Sequence, residues 1–261
     1  MSKAANAILA KTRAMYGKRL TEKDYSNLLN CKSVPEVMSY LKGHTKYGLL
    51  LTKVSETDIH RRQLELILRQ QLFYDFAALC RYELTAGEHF ATYIIKRTEI
   101  EQMLHFLMLL GANKPEEYLF MFPTYFESHT KINLSALTKA VNYDDFLAAL
   151  THTPYEKLLA PYKPKDGQPL NMPEIENTLY TYLYSCVFDI IDKYILGKQK
   201  EELKQLFISN IDLTNFVRIL RLRKYYDYRG DKILKQLLPC GSIKESRLRD
   251  MCVAETSKEV F

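Results

Sequence analysis

The sequence predicts an all-helical protein, and three observations carry that prediction. Glycine is scarce, with nine in 261 residues, roughly half the average usage of about 7%. Strand-like alternation of Val, Ile and Thr is rare, whereas apolar residues recur at helical spacing over long stretches. With 47% hydrophobic side chains, the chain can form one large domain or two to three small units.

Residues 1–20 open with five Lys/Arg and no acid, a composition also found in transit peptides, yet they run straight into periodic helical sequence. Apolar positions then mark a helix from about Ile59 to Arg81 and another from about Glu88 to Leu110. "APYKPKDGQPLNM", residues 160–172, has three prolines and a glycine and reads as a connection between units. A third helix is expected over 173–196, where Ile175, Leu179, Leu183, Val187 and Ile190 keep one face. Asn171 is placed to cap it, with Pro173 in its first turn and Glu174 at capping-box distance. No apolar run approaches the roughly 20 residues that span a bilayer, and the longest candidate, "SCVFDIIDKYIL", carries two aspartates.

The chemistry of catalysis is missing from the sequence. There is no P-loop, H-E-x-x-H or G-x-S-x-G, and the six histidines are scattered, so no catalytic, cofactor-binding or metal residue is assigned and no small-molecule substrate is expected. Five widely spaced cysteines without a C-x-x-C pair fit a reducing cytoplasm better than a disulfide or zinc framework. The adjacent acids Glu116–Glu117 and Asp144–Asp145 read as first-turn residues that favour the helix dipole.

The chain also resembles itself. Setting 90–110 over 203–223 without a gap pairs Ile95 with Ile208, Glu99 with Asp212, Ile100 with Leu213, Met103 with Phe216, Phe106 with Ile219 and Leu107 with Leu220. A second landmark, "PEVMSYLKGHTKYGLL" (35–50) and "DDFLAALTHTPYEKLL" (144–159), shares a Thr-x-Tyr and a closing leucine pair. These repeats divide the chain into a first helical unit at 1–60, a second at 61–163, a linker at 164–172 and a third, incomplete unit at 173–261.

Charge distinguishes the units. The net +6 is concentrated in residues 1–20 and in residues 211–250, which hold ten Lys/Arg against five acids. On a helical wheel Arg218, Arg221 and Lys224 share one arc opposite Leu213, Phe216, Ile219 and Leu220, which predicts an apolar face turned inward and a basic face turned out. The aligned helix has His105, Met108 and Gly111 at the basic positions, so packing of the scaffold does not require charge there. Arg13, Lys18, Arg19, Arg218, Arg221 and Lys224 are therefore the candidate partner-binding residues. A helical-repeat RNA-binding protein is the alternative reading of these basic helices.

Three stretches, "NAILAKTRAMYGKRLTEKDYSNLLNCKSVPEVMSYLKGHTKYGLLL", "KPEEYLFMFPTYF" with "AVNYDDFLAALTHTPYEKLL", and "IDLTNFVRILRLRKYY" with "LLPCGSI", resemble the C subunit of the V-type (A/V-type) ATPases, the counterpart of the d subunit in the eukaryotic enzyme. The resemblance implies a funnel of three related helical units about a pseudo-threefold axis, without catalytic activity or cofactor. It further implies a place on the cytoplasmic side of the membrane, between the central shaft subunits and the membrane rotor ring, with peripheral membrane contact and no nucleic acid. Members of that family continue past the point matched by Phe261, which is why the third unit is expected to be incomplete.

Overall fold

Thr21, Ser33, Asn133 and Asn142 each cap the start of a helix with a side-chain oxygen. In the computed structural model, which describes residues 3–52, 54–55, 59–82, 87–121, 123–165 and 168–254, every regular element of the described residues is helical. After α1 (Lys3–Gly17), Thr21 and Asp24 form a reciprocal capping box that starts α2 (Glu22–Leu29). Ser33 caps α3 (Val34–His44), whose first turn holds Pro35, and the hydroxyl of Thr45 donates to the Leu41 carbonyl as the chain turns into α4 (Gly48–Leu51). Gly48 sits so close to the Lys42 carbonyl oxygen that a Cβ would lie 2.6 Å from it.

Two long helices, α5 (Arg61–Cys80) and α6 (Gly87–Gly111), pack side by side. Asn113, at φ 57°, ends α6, and the Lys114 N–H reaches back to the Leu109 carbonyl. Two 3₁₀ turns (Pro115–Met121 and Thr124–His129) lead to the short helices α7 (Leu134–Leu137), α8 (Tyr143–Ala149) and α9 (Pro154–Leu159). Glu116–Glu117 and Asp144–Asp145 lie in first turns, as their sequence context predicts.

The third expected helix is α10 (Met172–Tyr194), ending two residues before its predicted limit. Asn171 makes no capping hydrogen bond; its Oδ1 is buried without a partner, so Pro173 and Glu174 mark the start alone. After Gly197, at φ 64°, the chain forms α11 (Lys198–Tyr226), whose second half is the basic stretch. α11 stops at Asp227 in the left-handed region, and α12 (Asp231–Leu234) and α13 (Glu245–Val253) follow.

The largest core lies where α10 runs along α6. Ile100, Met103, Phe106 and Leu107 meet Leu179 and Leu183, each essentially excluded from water. Burial contributes about 1.5–3 kcal/mol for each such side chain. Phe106 stacks on Phe146 at 5.5 Å, which ties α8 to the same core. A separate cluster of Ile219, Leu222, Ile233, Leu237 and Met251 joins the end of α11 to α12 and α13, and a third, around Met38, Leu41, Leu51 and Leu64, joins α3 and α4 to α5.

Candidate functional site

The two basic segments do not form two equivalent surfaces. At the end of α1 the Lys18 and Arg19 N–H groups bond back to the Met15 and Tyr16 carbonyls, 3.1 Å each, so both residues are held in a tight turn. The Arg19 guanidinium lies 3.8 Å from the centre of the Tyr16 ring, a cation–π contact that fixes its direction. Lys18 and Arg19 face the α3–α4 turn across a cleft of about 830 Å³, which Lys42, His44 and Lys46 also line. Sequence reading by charge blocks missed these three; their signal is the alternating "KGHTK" at the end of α3.

Asp24 is the carboxylate in this lining. It accepts from the Thr21 hydroxyl at 2.6 Å, the Thr21 N–H at 2.7 Å and the Tyr40 hydroxyl at 2.8 Å. The bonds from Thr21, more than that from Tyr40, hold its pKa below the ordinary carboxylate value. Lys46 is partly neutralised by Asp75 of α5 at 3.2 Å. The cleft remains predominantly cationic, with donors on two elements converging on one space. Such a surface binds carboxylates or phosphates by charge-assisted hydrogen bonds. Arg13 is exposed on α1 outside this lining.

The expected basic face on α11 requires correction. Arg218 is only 6% exposed. Its guanidinium donates to Asn177 Oδ1 at 2.8 Å, to the Gln236 carbonyl at 3.1 Å and to Glu176 Oε1 at 3.4 Å. Burial pushes its pKa down and the Glu176 carboxylate pushes it back up. Arg218 is thus a brace between α10, α11 and the segment after α12, and belongs to the core. Arg221 is half-exposed and reaches Glu176 Oε2 at 3.4 Å, while Lys224 is exposed beside the Tyr225 ring. The physical reason is that α11 packs on α10 through the side expected to face solvent. Leu213, on the side expected to face inward, is 66% exposed.

Among the described residues no group of His, Cys, Asp and Glu is arranged to hold a metal, and no helix is long and apolar enough to cross a membrane.

The chain matches the family model of the ATP synthase (C/AC39) subunit over residues 8–261. It is similar to the C subunit of the A-type ATP synthase of Methanosarcina mazei, 26% identical over 239 residues, which covers 89% of this chain and 62% of that protein. It is also similar to the C subunit of the A-type ATP synthase of Methanosphaera stadtmanae, 24% identical over 218 residues, 82% of this chain and 53% of that protein. The match therefore spans less than two thirds of the length of these relatives. With a match that runs nearly from end to end, the protein belongs to the ATP synthase (C/AC39) subunit family.

Proposed function

We propose that this chain serves as a non-enzymatic coupling subunit of a rotary A/V-type ATPase, linking the central shaft to the membrane rotor ring on the cytoplasmic side. Its family membership supports a role in that complex, and both relatives are named as subunits of an A-type ATP synthase. The observation that carries the docking part of the reading is the cationic cleft between α1 and the α3–α4 turn. Lys18 and Arg19, with Lys42, His44 and Lys46, form the seat for an acidic part of a rotor partner; Arg13, Arg221 and Lys224 add exposed charge that steers it. Arg218 is removed from the docking set by its burial.

The units at 1–60, 61–163 and 173–261, with a linker at 164–172, belong to the same proposal. Two polar contacts support the pairing of 90–110 with 203–223. Glu99 accepts from the Thr130 hydroxyl, 31 residues on, at 2.6 Å, and Asp212 accepts from the Ser242 hydroxyl, 30 residues on, also at 2.6 Å. The aligned amides behave alike: Gln102 accepts from Tyr118, and Asn215 exchanges two hydrogen bonds with the Leu238 main chain.

The test is a pull-down of the whole chain with shaft subunits and with the ring, comparing the wild type with Lys18→Glu/Arg19→Glu. Both positions are exposed, so the melting temperature should hold while binding falls, with the largest difference from the wild type at low salt. Retention of neither partner by the wild type, together with salt-sensitive capture of RNA, would replace the proposal with the nucleic-acid reading.

A further inference from the structure

The corner where α10, α11 and the segment after α12 meet holds a small cavity of about 20 Å³. Pro173 and Leu222 give it apolar walls, and Glu176, Arg218, Arg221 and Gln236 supply its polar groups. Gln236 is only 6% exposed, and its main chain is fully engaged. Its N–H donates to the Ile233 carbonyl at 2.8 Å, and its carbonyl accepts from Arg218 at 3.1 Å. The side-chain oxygen is different: it is buried and accepts no hydrogen bond from the described residues. A buried amide oxygen left so is costly, and Pro173 beside it has no N–H to offer.

The charged groups of the lining have capacity to spare. Nη1 of Arg218 donates to Asn177 Oδ1 and to the Gln236 carbonyl, and Nη2 donates to Glu176 Oε1. These bonds use three of the five N–H groups a guanidinium carries. Glu176 stands between Arg218 and Arg221 at 3.4 Å from each, beyond the roughly 2.7–2.9 Å of a tight charge-assisted bond. Such separations leave carboxylate lone pairs and guanidinium hydrogens open to a bridging molecule.

Charge and size identify that molecule. A cation would face two guanidiniums against one carboxylate, and a bare anion would face two acceptors, the Glu176 carboxylate and the Gln236 oxygen. The occupant is therefore neutral, donates to Gln236 and accepts from an arginine. The cavity exceeds the volume of about 10–15 Å³ that one water needs and admits nothing larger. We propose that this corner is a binding site for one structural water, which donates to Gln236 Oε1 and to Glu176 and accepts from Arg218 or Arg221. The water completes the Arg218 brace and joins α10, α11 and the segment after α12 through a single bridging molecule. This site is independent of the docking role proposed for the cationic cleft.

Crystal structures of the whole chain, grown with and without sodium bromide, test the site. One water is expected within about 3.2 Å of the Gln236 side-chain oxygen and of a guanidinium nitrogen, with no anomalous bromide signal there. A bromide peak in the cavity would overturn the proposal in favour of an anion. Absence of density, or a Gln236 side chain turned out to solvent, would overturn it as well. Gln236→Met adds a readout in solution, because it removes the side-chain acceptor and keeps the main-chain carbonyl that serves Arg218. With the water bound, the variant loses a satisfied hydrogen bond, and its melting temperature should fall by about 2–4 °C. An unchanged or higher melting temperature would mean that the oxygen had no partner to lose, and would sink the proposal. Should the variant fail to fold, the wild-type crystals decide alone.

Discussion

α6 and α11 align residue for residue in sequence, yet the structure uses their sides differently. Ile100 is completely buried, whereas its counterpart Leu213 is 66% exposed; His105 lies beside Tyr118, whereas its counterpart Arg218 is buried among acceptors from α10 and from the segment after α12. The difference teaches that an apolar stripe specifies a contact without naming which neighbour makes it. α6 packs on α5 and on α10 and buries both of its sides. α11 meets α10 through Arg218 and packs its end on α12 and α13 through Ile219 and Leu222, because an arginine can enter a core when each guanidinium edge finds an acceptor.

The comparison can be broken most directly by truncating the paired apolar residues. Ile100→Ala removes a side chain from the best-packed core and should cost about 3–4 kcal/mol, transfer and cavity terms together. Leu213→Ala should shift stability by about 0.5 kcal/mol or less, since its side chain already faces water. Chemical denaturation of both variants measures the contrast. Equal losses would mean that Leu213 is covered in the isolated protein, contrary to its exposure on α11.

The next largest effect tests the polar side. Arg218→Met keeps a flexible side chain of similar reach but leaves Glu176, Asn177 and the Gln236 carbonyl short of a donor, at a cost of about 3 kcal/mol. His105→Met, at the aligned position, should change stability by about 1 kcal/mol or less. A small effect at Arg218 would show that Arg221 takes over its partners, which the additional substitution Arg221→Met would then expose.

These pairs also mark what the sequence could reveal. The helical class, the long helices and the alignment of 90–110 with 203–223 were legible because periodicity and spacing are local properties. The orientation of α11 was not. Its wheel has a clean apolar arc and a clean basic arc, and the usual inference places the apolar arc inward. The deciding information lay elsewhere in the chain, in Glu176 and Asn177 of α10 and in the carbonyl of Gln236 after α12. The cationic cleft was half legible for the same reason. Lys18 and Arg19 stood out as a basic block, whereas Lys42, His44 and Lys46 join them only through the fold.

A smaller difference separates the aligned acids. Glu99 is buried and also accepts from Tyr155 at 2.7 Å, so Glu99→Leu leaves two hydroxyls without their acceptor and should cost about 2 kcal/mol. Asp212 is partly exposed and receives the Ser242 hydroxyl and N–H in a loop where water can replace it. Asp212→Leu should therefore cost about 1 kcal/mol or less. Gly241→Ala sharpens this test, because a Cβ there would stand 2.3 Å from Asp212 Oδ1 and force the loop away from the carboxylate. Thermal melts that order the variants otherwise would argue against equivalent roles for the two acids.

The smallest expected effect concerns pH at the contact between α10 and α11. Asp192 near the end of α10 receives Lys200 and Lys204 from the start of α11, both at 2.7 Å. The hydrogen bond from Lys200, then that from Lys204, lowers its pKa below the ordinary aspartate value. A carboxyl whose folded pKa is depressed binds a proton more readily in the unfolded chain. Its stabilisation is therefore fully present above the unfolded value, near about pH 4, and is lost as pH falls through the folded value. Asp24 and Glu117 shift in the same direction and contribute to the same acid limb, so a pH profile of the wild type alone does not isolate the clasp. The difference between the wild type and Asp192→Asn does. The two melting temperatures should be separated near about pH 6 by a small margin, as expected for an exposed pair, and should converge as pH approaches about 3. Melts that instead stay parallel over this range would show that Asp192 holds α11 by geometry alone and that its charge adds nothing to the α10 contact.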